Sequence, residues 1–208
     1  MFTARRALLV IDVQNEYVSG KLRIEFPPVE ASLASIGKAM DAAREAGIPV
    51  VVVQSTTSPD APIFARGSEG WQFHEVVRSR RWEHHVDKGL PSAFAGTDLR
   101  QWIDERDIDT LTIVGYMTHN CDDSTIKEAV HAGFAVEFLH DAAGALSYEN
   151  RAGRASAEEI HRTFCVVLQS RFAAVVSTDE WIATLRTGAT LPRDTIFGSY
   201  LRAHAGAV

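Results

Sequence analysis

The sequence predicts an α/β fold, a three-layer α-β-α arrangement about a six-stranded, mostly parallel sheet. Three observations carry this. Six short segments of strand length recur along the chain, most of them apolar. Amphipathic segments with helical spacing fall between them. No repeat or compositional break divides the chain, and 208 residues suffice for one sizeable core. Residues 1–186 therefore read as one domain and 187–208 as a C-terminal tail that packs on it or on a neighbouring subunit.

The elements follow in order. Residues 6–13 form an apolar first strand that runs out at Asp12. Pro27 and Pro28 interrupt the next loop. Over 29–46, Val29, Leu33, Ile36, Met40 and Ala43 share one helical face, and Gly47 ends the helix. Residues 48–54 are a second buried strand, with Pro49 at its start, where a missing N–H matters little. Residues 55–81 are the least regular part. Phe64, Trp71, Phe73 and Trp82 are interleaved with turn residues there, as expected of a binding loop or of a cover for the sheet edge.

Residues 82–87 read as a third strand, followed by Lys88. Thr97 or Asp98 caps a helix to about Arg106. Residues 110–114 are the fourth strand, and the helix after Cys121 ends near Gly133. Residues 134–139 are the fifth strand. Ser156 and Glu159 form a capping box opening a helix to about Gln169. Residues 172–176 are the sixth strand, and Thr178 or Asp179 caps a last helix to about Arg186. From Thr187 the pattern fits a docked arm or a frayed end.

Composition narrows the function. Hydrophobic residues make up 46% of the chain, which excludes a disordered polymer. The net charge is −6 and no basic stripe appears, so neither nucleic acid nor a membrane surface is an expected partner. The densest basic run, 78–81, reads as a solvated face. Cys121 and Cys165 are too few for a disulfide framework, and Cys165 sits in a helical core pattern. The apolar run 7–11 is too short for a signal peptide, so a cytoplasmic protein is expected. Leu191, Ile196, Phe197, Tyr200 and Leu201 in the tail suggest a homo-oligomer, dimer or tetramer.

The chemistry centres on Gly115–Thr125. A strand leads through a glycine turn into a helix, with Cys121 at or near the helix start. Free N–H groups and the helix dipole there favour a thiolate and can hold an oxyanion. A small buried hydrophobe is the competing reading. In the Rossmann-like order 3-2-1-4-5-6 the first and fourth strands are neighbours, and ligands bind at that switch point. Asp12 and Cys121 then face one crevice, and Lys88 at the end of the third strand reaches it. The G-x-G-x-x-G and P-loop signals are absent, and the histidines show no four-ligand spacing. No cofactor and no metal are expected.

At these residues the chain resembles the isochorismatase-like cysteine hydrolases, the group that includes nicotinamidases and N-carbamoylsarcosine amidohydrolase. The marks are Leu9-Val10-Ile11-Asp12-Val13-Gln14-Asn15-Glu16-Tyr17, Lys88 with Ser92-Ala93-Phe94-x-Gly96-Thr97-Asp98-Leu99, and Gly115-x-Met117-Thr118-x-x-Cys121-x-x-Ser124-Thr125. The resemblance implies a catalytic triad of Asp12, Lys88 and Cys121. It also implies a cis peptide between Tyr116 and Met117, and an oxyanion hole from the N–H groups of Met117 and Cys121. Tyr17, Thr118 and Trp71 are candidate substrate-binding residues, with Phe64 and Trp82 as further wall candidates.

Two departures sharpen the reading. Gln54-Ser55-Thr56 replaces the nicotinamidases' Asp-x-His motif, which argues against a metal and against nicotinamide. Isochorismatases proper lack the nucleophilic cysteine that stands here. The expectation is hydrolysis of an amide, ureido or lactam C–N bond of a small molecule through a thioester. Cys121 is the nucleophile, Asp12 the general acid/base and Lys88 the electrostatic support. Asp12 opposes a thiolate, and Asp122 and Asp123 offset the helix dipole, so a resting thiol is expected. A non-catalytic or thiol-redox protein on the same fold is the alternative.

Overall fold

The computed structural model describes residues 4–205. Its strands are β1 (Arg6–Ile11), β2 (Val50–Ser55), β3 (His84–Lys88), β4 (Thr110–Tyr116), β5 (Ala135–Gly144), β6 (Tyr148–Asn150), β7 (Gly153–Ala155) and β8 (Ala174–Val176). Its helices are α1 (Val29–Glu45), α2 (Glu75–Arg78), α3 (Leu99–Asp104), α4 (Asp123–His131), α5 (Ala157–Arg171), α6 (Thr178–Leu185) and α7 (Ile196–His204). The main sheet has the order β3-β2-β1-β4-β5-β8. Every pairing in it is parallel. This is the expected topology, with β8 as the sixth strand of the sheet.

Strand alternation explains the three layers. Ala7, Leu9 and Ile11 of β1 pack with Trp102 of α3, Ile126 of α4 and Leu168 of α5. Leu8 and Val10 point the other way, onto Ile36 and Met40 of α1 and Trp181 of α6. Because both faces are covered, β1 is apolar at five successive positions, as parallel strands are.

Several boundaries differ from expectation, each for a local reason. β1 stops at Ile11 because Asp12 takes φ 51° and turns the chain. β3 begins at His84 and includes Lys88. β5 runs past residue 139 to Gly144 because a bulge shifts its register between Ile113↔Phe138 and Gly115↔Ala143. α2 lies in the stretch read as least regular, and the β6–β7 hairpin in one to which no element was assigned. The Ser156–Glu159 capping box is present, and the last sheet-covering helix is capped by Ser177 with Glu180 instead of Thr178 or Asp179. The expected cis peptide at Tyr116–Met117 is present.

The tail lies along α5. The Asp194 amide donates to the Gln169 carbonyl at 2.9 Å, and the Arg193 guanidinium donates to the Arg171 carbonyl at 2.8 Å. Arg6 donates to the Ala189 carbonyl at 2.7 Å while its guanidinium grips buried Glu137 at 2.8 Å. Thr112 and Trp181 also donate to Glu137, so this buried charge is fully paired. Ile196, Phe197, Tyr200 and Leu201 of α7 are exposed. Among the described residues no helix is long and apolar enough to cross a membrane.

Candidate active site

Three strand ends build the site. Asp12 follows β1, Lys88 closes β3, and Cys121 lies in the turn after β4. The Lys88 ammonium is 2.8 Å from Asp12 Oδ2 and donates to Cys121 Sγ at 3.3 Å. All three side chains are buried, with Asp12 at 0%, Lys88 at 3% and Cys121 at 5% exposure. Residues 33 and 109 positions apart in sequence are thus brought to one point by the doubly wound order.

A fourth residue, Ser55, was not anticipated. It ends β2, opposite Lys88 in the β2–β3 register and between the strands that carry Asp12 and Lys88. Its hydroxyl donates to Asp12 Oδ2 at 2.8 Å and accepts from Lys88 Nζ at 2.8 Å. Its backbone is clamped by the Gln14 carboxamide, which accepts from Ser55 N at 2.9 Å and donates to Ser55 O at 3.0 Å. The signal that could have found it is its place at the end of the strand separating the other two. An ammonium has three N–H donors, and here Asp12, Ser55 and Cys121 take all three.

Burial pushes the Cys121 thiol well up, and the Asp12 carboxylate adds to this while Lys88 offsets part of it. The resting group is therefore a thiol. Burial works against the Lys88 ammonium, but Asp12 and Cys121 outweigh it and its pKa is raised. Thr118–Asp122 form a wide π-helical turn, closed by the Asp122 amide on the Met117 carbonyl at 3.2 Å. Among the described residues the Met117 N–H donates to no other group. Asp12 Oδ1 is also buried without a partner.

A cleft of about 180 Å³ opens above Cys121, lined by Tyr17, Thr56, Phe64, Leu90 and Asn120 among others. Tyr17 and Phe64 meet at 5.1 Å between ring centroids. Two expected wall residues have other roles. The Thr118 hydroxyl is fully buried against His161 Nδ1 at 2.8 Å. Trp71 braces the loop: its indole donates to Thr56 Oγ1 at 2.8 Å and its carbonyl accepts from Gln14 and Gln54. Trp82 is exposed beside His85 and does not line the cleft. A larger cavity of about 420 Å³ shares Phe64 with the cleft but holds none of the three strand-end groups.

Asp122 is the second unanticipated feature. It is fully buried, and neither carboxylate oxygen has a partner. Burial, then the neighbouring Asp12 charge, pushes its pKa well above the usual carboxylate range. The wide turn carries it inward, so it does not weaken the helix dipole as a charge in the first turn would. Its folded pKa lies above the unfolded value, so folding is favoured by low pH. Stability falls by about 1.4 kcal/mol per pH unit above about 3.9, until the folded group itself ionises. Asp122→Asn should remove this slope, gaining little at pH 4 and more above it. Urea melts across that range check it; a constant difference at all pH values would count against a neutral Asp122.

Among the described residues no group of three or more His, Cys, Asp or Glu side chains is placed to hold a metal ion. His74 caps α2, His84 stacks on Trp102, and His85 meets Gln54 Oε1 at 3.1 Å.

A doubly wound sheet with an Asp, a Lys and a thiol at its carboxyl edge defines a class of α/β proteins. Comparison with known proteins places the chain within it. The isochorismatase domain model matches residues 6–180. YddQ of Bacillus subtilis, an uncharacterized isochorismatase family protein, is 32% identical over 178 residues, 85% of this chain and 98% of that one. A streptothricin hydrolase of Streptomyces noursei is 33% identical over 137 residues, 66% of this chain and 49% of that one. The crystal structure of an isochorismatase-type protein from Burkholderia xenovorans LB400 is 63% identical, with TM-score 0.97 over 98% of each chain. The chain belongs to the isochorismatase family and is a hydrolase.

Proposed function

We propose that the enzyme cleaves a C–N bond of a small amide, ureide or lactam through a thioester on Cys121. The observation that carries this is the contact of Lys88 with both Asp12 and Cys121 at the switch point. Sγ attacks the carbonyl carbon while Asp12 accepts the thiol proton. The Met117 and Cys121 N–H groups receive the developing oxyanion. Asp12 then returns the proton to the nitrogen as the C–N bond breaks. Water, deprotonated by Asp12, hydrolyses the thioester, releasing the acid and restoring the thiol. Lys88 and Ser55 hold the Asp12 carboxylate in place throughout. The streptothricin hydrolase among the relatives supports the hydrolytic reading.

An amide and ureide library scored by ammonia release tests this, with intact-mass detection of the acyl-enzyme. Turnover should survive dialysis against a chelator, because Cys121 supplies its own nucleophile and the peptide N–H groups the electrophile. A library without turnover and without any adduct on Cys121 would reject the proposal. Activity lost with a chelated metal and restored only by it would reject the metal-free mechanism.

A homo-oligomer is proposed on the exposed apolar face of α7. A solution mass matching the 22.9 kDa chain at micromolar concentration would remove it.

A further inference from the structure

The cleft above Cys121 sorts its polar groups by charge in a consistent way. Its one cationic lining residue, Lys88, has all three N–H donors engaged by Asp12, Ser55 and Cys121. No carboxylate lines it. Asp12 lies beneath, with Oδ2 taken by Lys88 and Ser55. Asp87, next to Lys88 in sequence, is itself paired: Arg66 donates to it at 2.6 Å. The hydroxyls of Thr56 and Thr57 are used inside the protein, by Trp71 and by the Ile63 carbonyl. Two lining polar groups are different. The Tyr17 hydroxyl and the Asn120 carboxamide make no hydrogen bond among the described residues, and Asn120 sits one position before the nucleophile. The lining cation is paired, and neutral donor–acceptor groups are free.

We propose that this cleft selects uncharged amides or ureides, read by the Asn120 carboxamide, and rejects compounds with a carboxylate beside the scissile bond. The inference rests on the hydrolytic reading above but concerns what enters the cleft. An anion entering it would leave water for a site with no unpaired cation, close to the Asp12 charge. Desolvation of the anion is then not repaid. An amide or ureide brings one neutral acceptor and one neutral donor, which the Asn120 carboxamide matches. The volume of about 180 Å³ fits a compound of modest size, and Tyr17, Phe64, Leu90 and Pro91 supply apolar walls for its remainder.

The test needs no known substrate. Iodoacetamide and iodoacetate have the same shape, and each alkylates a thiol by forming an S–C bond with loss of iodide. One carries a neutral amide and the other a carboxylate. Their rates at Cys121 are measured by peptide mass spectrometry, which separates Cys121 from Cys165, and are compared with N-acetylcysteine. The iodoacetamide preference of Cys121 should exceed that of the free thiol by about tenfold or more. Leu90→Lys places a cation on an exposed rim position and should cut that preference by about threefold. Asn120→Ala should slow iodoacetamide without speeding iodoacetate. An equal ratio, a preference for iodoacetate, or failure of iodoacetamide to reach Cys121 would overturn the proposal. Loss of hydrolysis with the alkylation preference intact would instead count against the proposed reaction alone.

Discussion

Cys121→Ala should lower the turnover of any substrate found in the amide and ureide screen by at least about a thousandfold. Its folding should change by about 1 kcal/mol or less, because one sulfur beside the ion pair is lost and no charge is left unpaired. That contrast makes it a clean test. Asp12→Asn should abolish turnover as well, since a carboxamide cannot take the thiol proton. It also removes the carboxylate that balances Lys88, a buried ammonium with 3% exposure. Breaking a buried pair by removing one partner costs about 3–5 kcal/mol. Its activity must therefore be read on the folded fraction. The double variant should be no slower than either single one, because the two groups act as one unit. Wild-type rates in Cys121→Ala, or additive losses in the double variant, would refute the shared proton-transfer role.

The position of these groups was legible because each lies where a strand pattern breaks. Asp12 ends the apolar run of β1, Lys88 ends β3, and Cys121 follows β4 through a glycine turn. Alternation of elements implies a parallel sheet, and the supposed order 3-2-1-4-5-6 brings those ends together. Ser55 was not legible, because a hydroxyl at a strand end is ordinary. Its role exists only once β2 lies between β1 and β3. Asp122 reads in sequence as a helix first-turn charge. The wide turn over Thr118–Asp122 rotates it into the interior, and nothing in the residue types announces that extra residue per turn. Thr118 and Trp71 were placed in the correct segments, but side-chain direction depends on partners remote in sequence, His161 and Thr56. The β6–β7 hairpin was missed because residues 148–150 and 153–154 are exposed, which leaves no buried alternation to read.

Gly115→Ala should be the most damaging single-methyl change in the chain. Gly115 sits in β4 opposite Ile11, the last residue of β1 before Asp12. Its φ is +122°, a conformation that side chains rarely adopt. A Cβ there would overlap the Ile11 carbonyl oxygen and lie 2.7 Å from the Ile11 nitrogen. Backbone, unlike a flexible side-chain tip, cannot give way without parting β4 from β1. The expected loss exceeds about 4 kcal/mol, most of what a domain of this size has. Gly133→Ala is the matched control. Its φ is +95°, but nothing lies within 4 Å of an added Cβ, so only backbone strain of about 1–3 kcal/mol applies. The difference between the two isolates the close approach of the two strands. That approach also fixes the Cys121 turn over Asp12, and a misplacement of about 1 Å can cost about a hundredfold in rate. Any folded Gly115→Ala protein should therefore be slow as well as unstable, whereas Gly133→Ala should keep its turnover. Equal stability of the two variants in denaturant melts would show that β4 tolerates a side chain at this crossing.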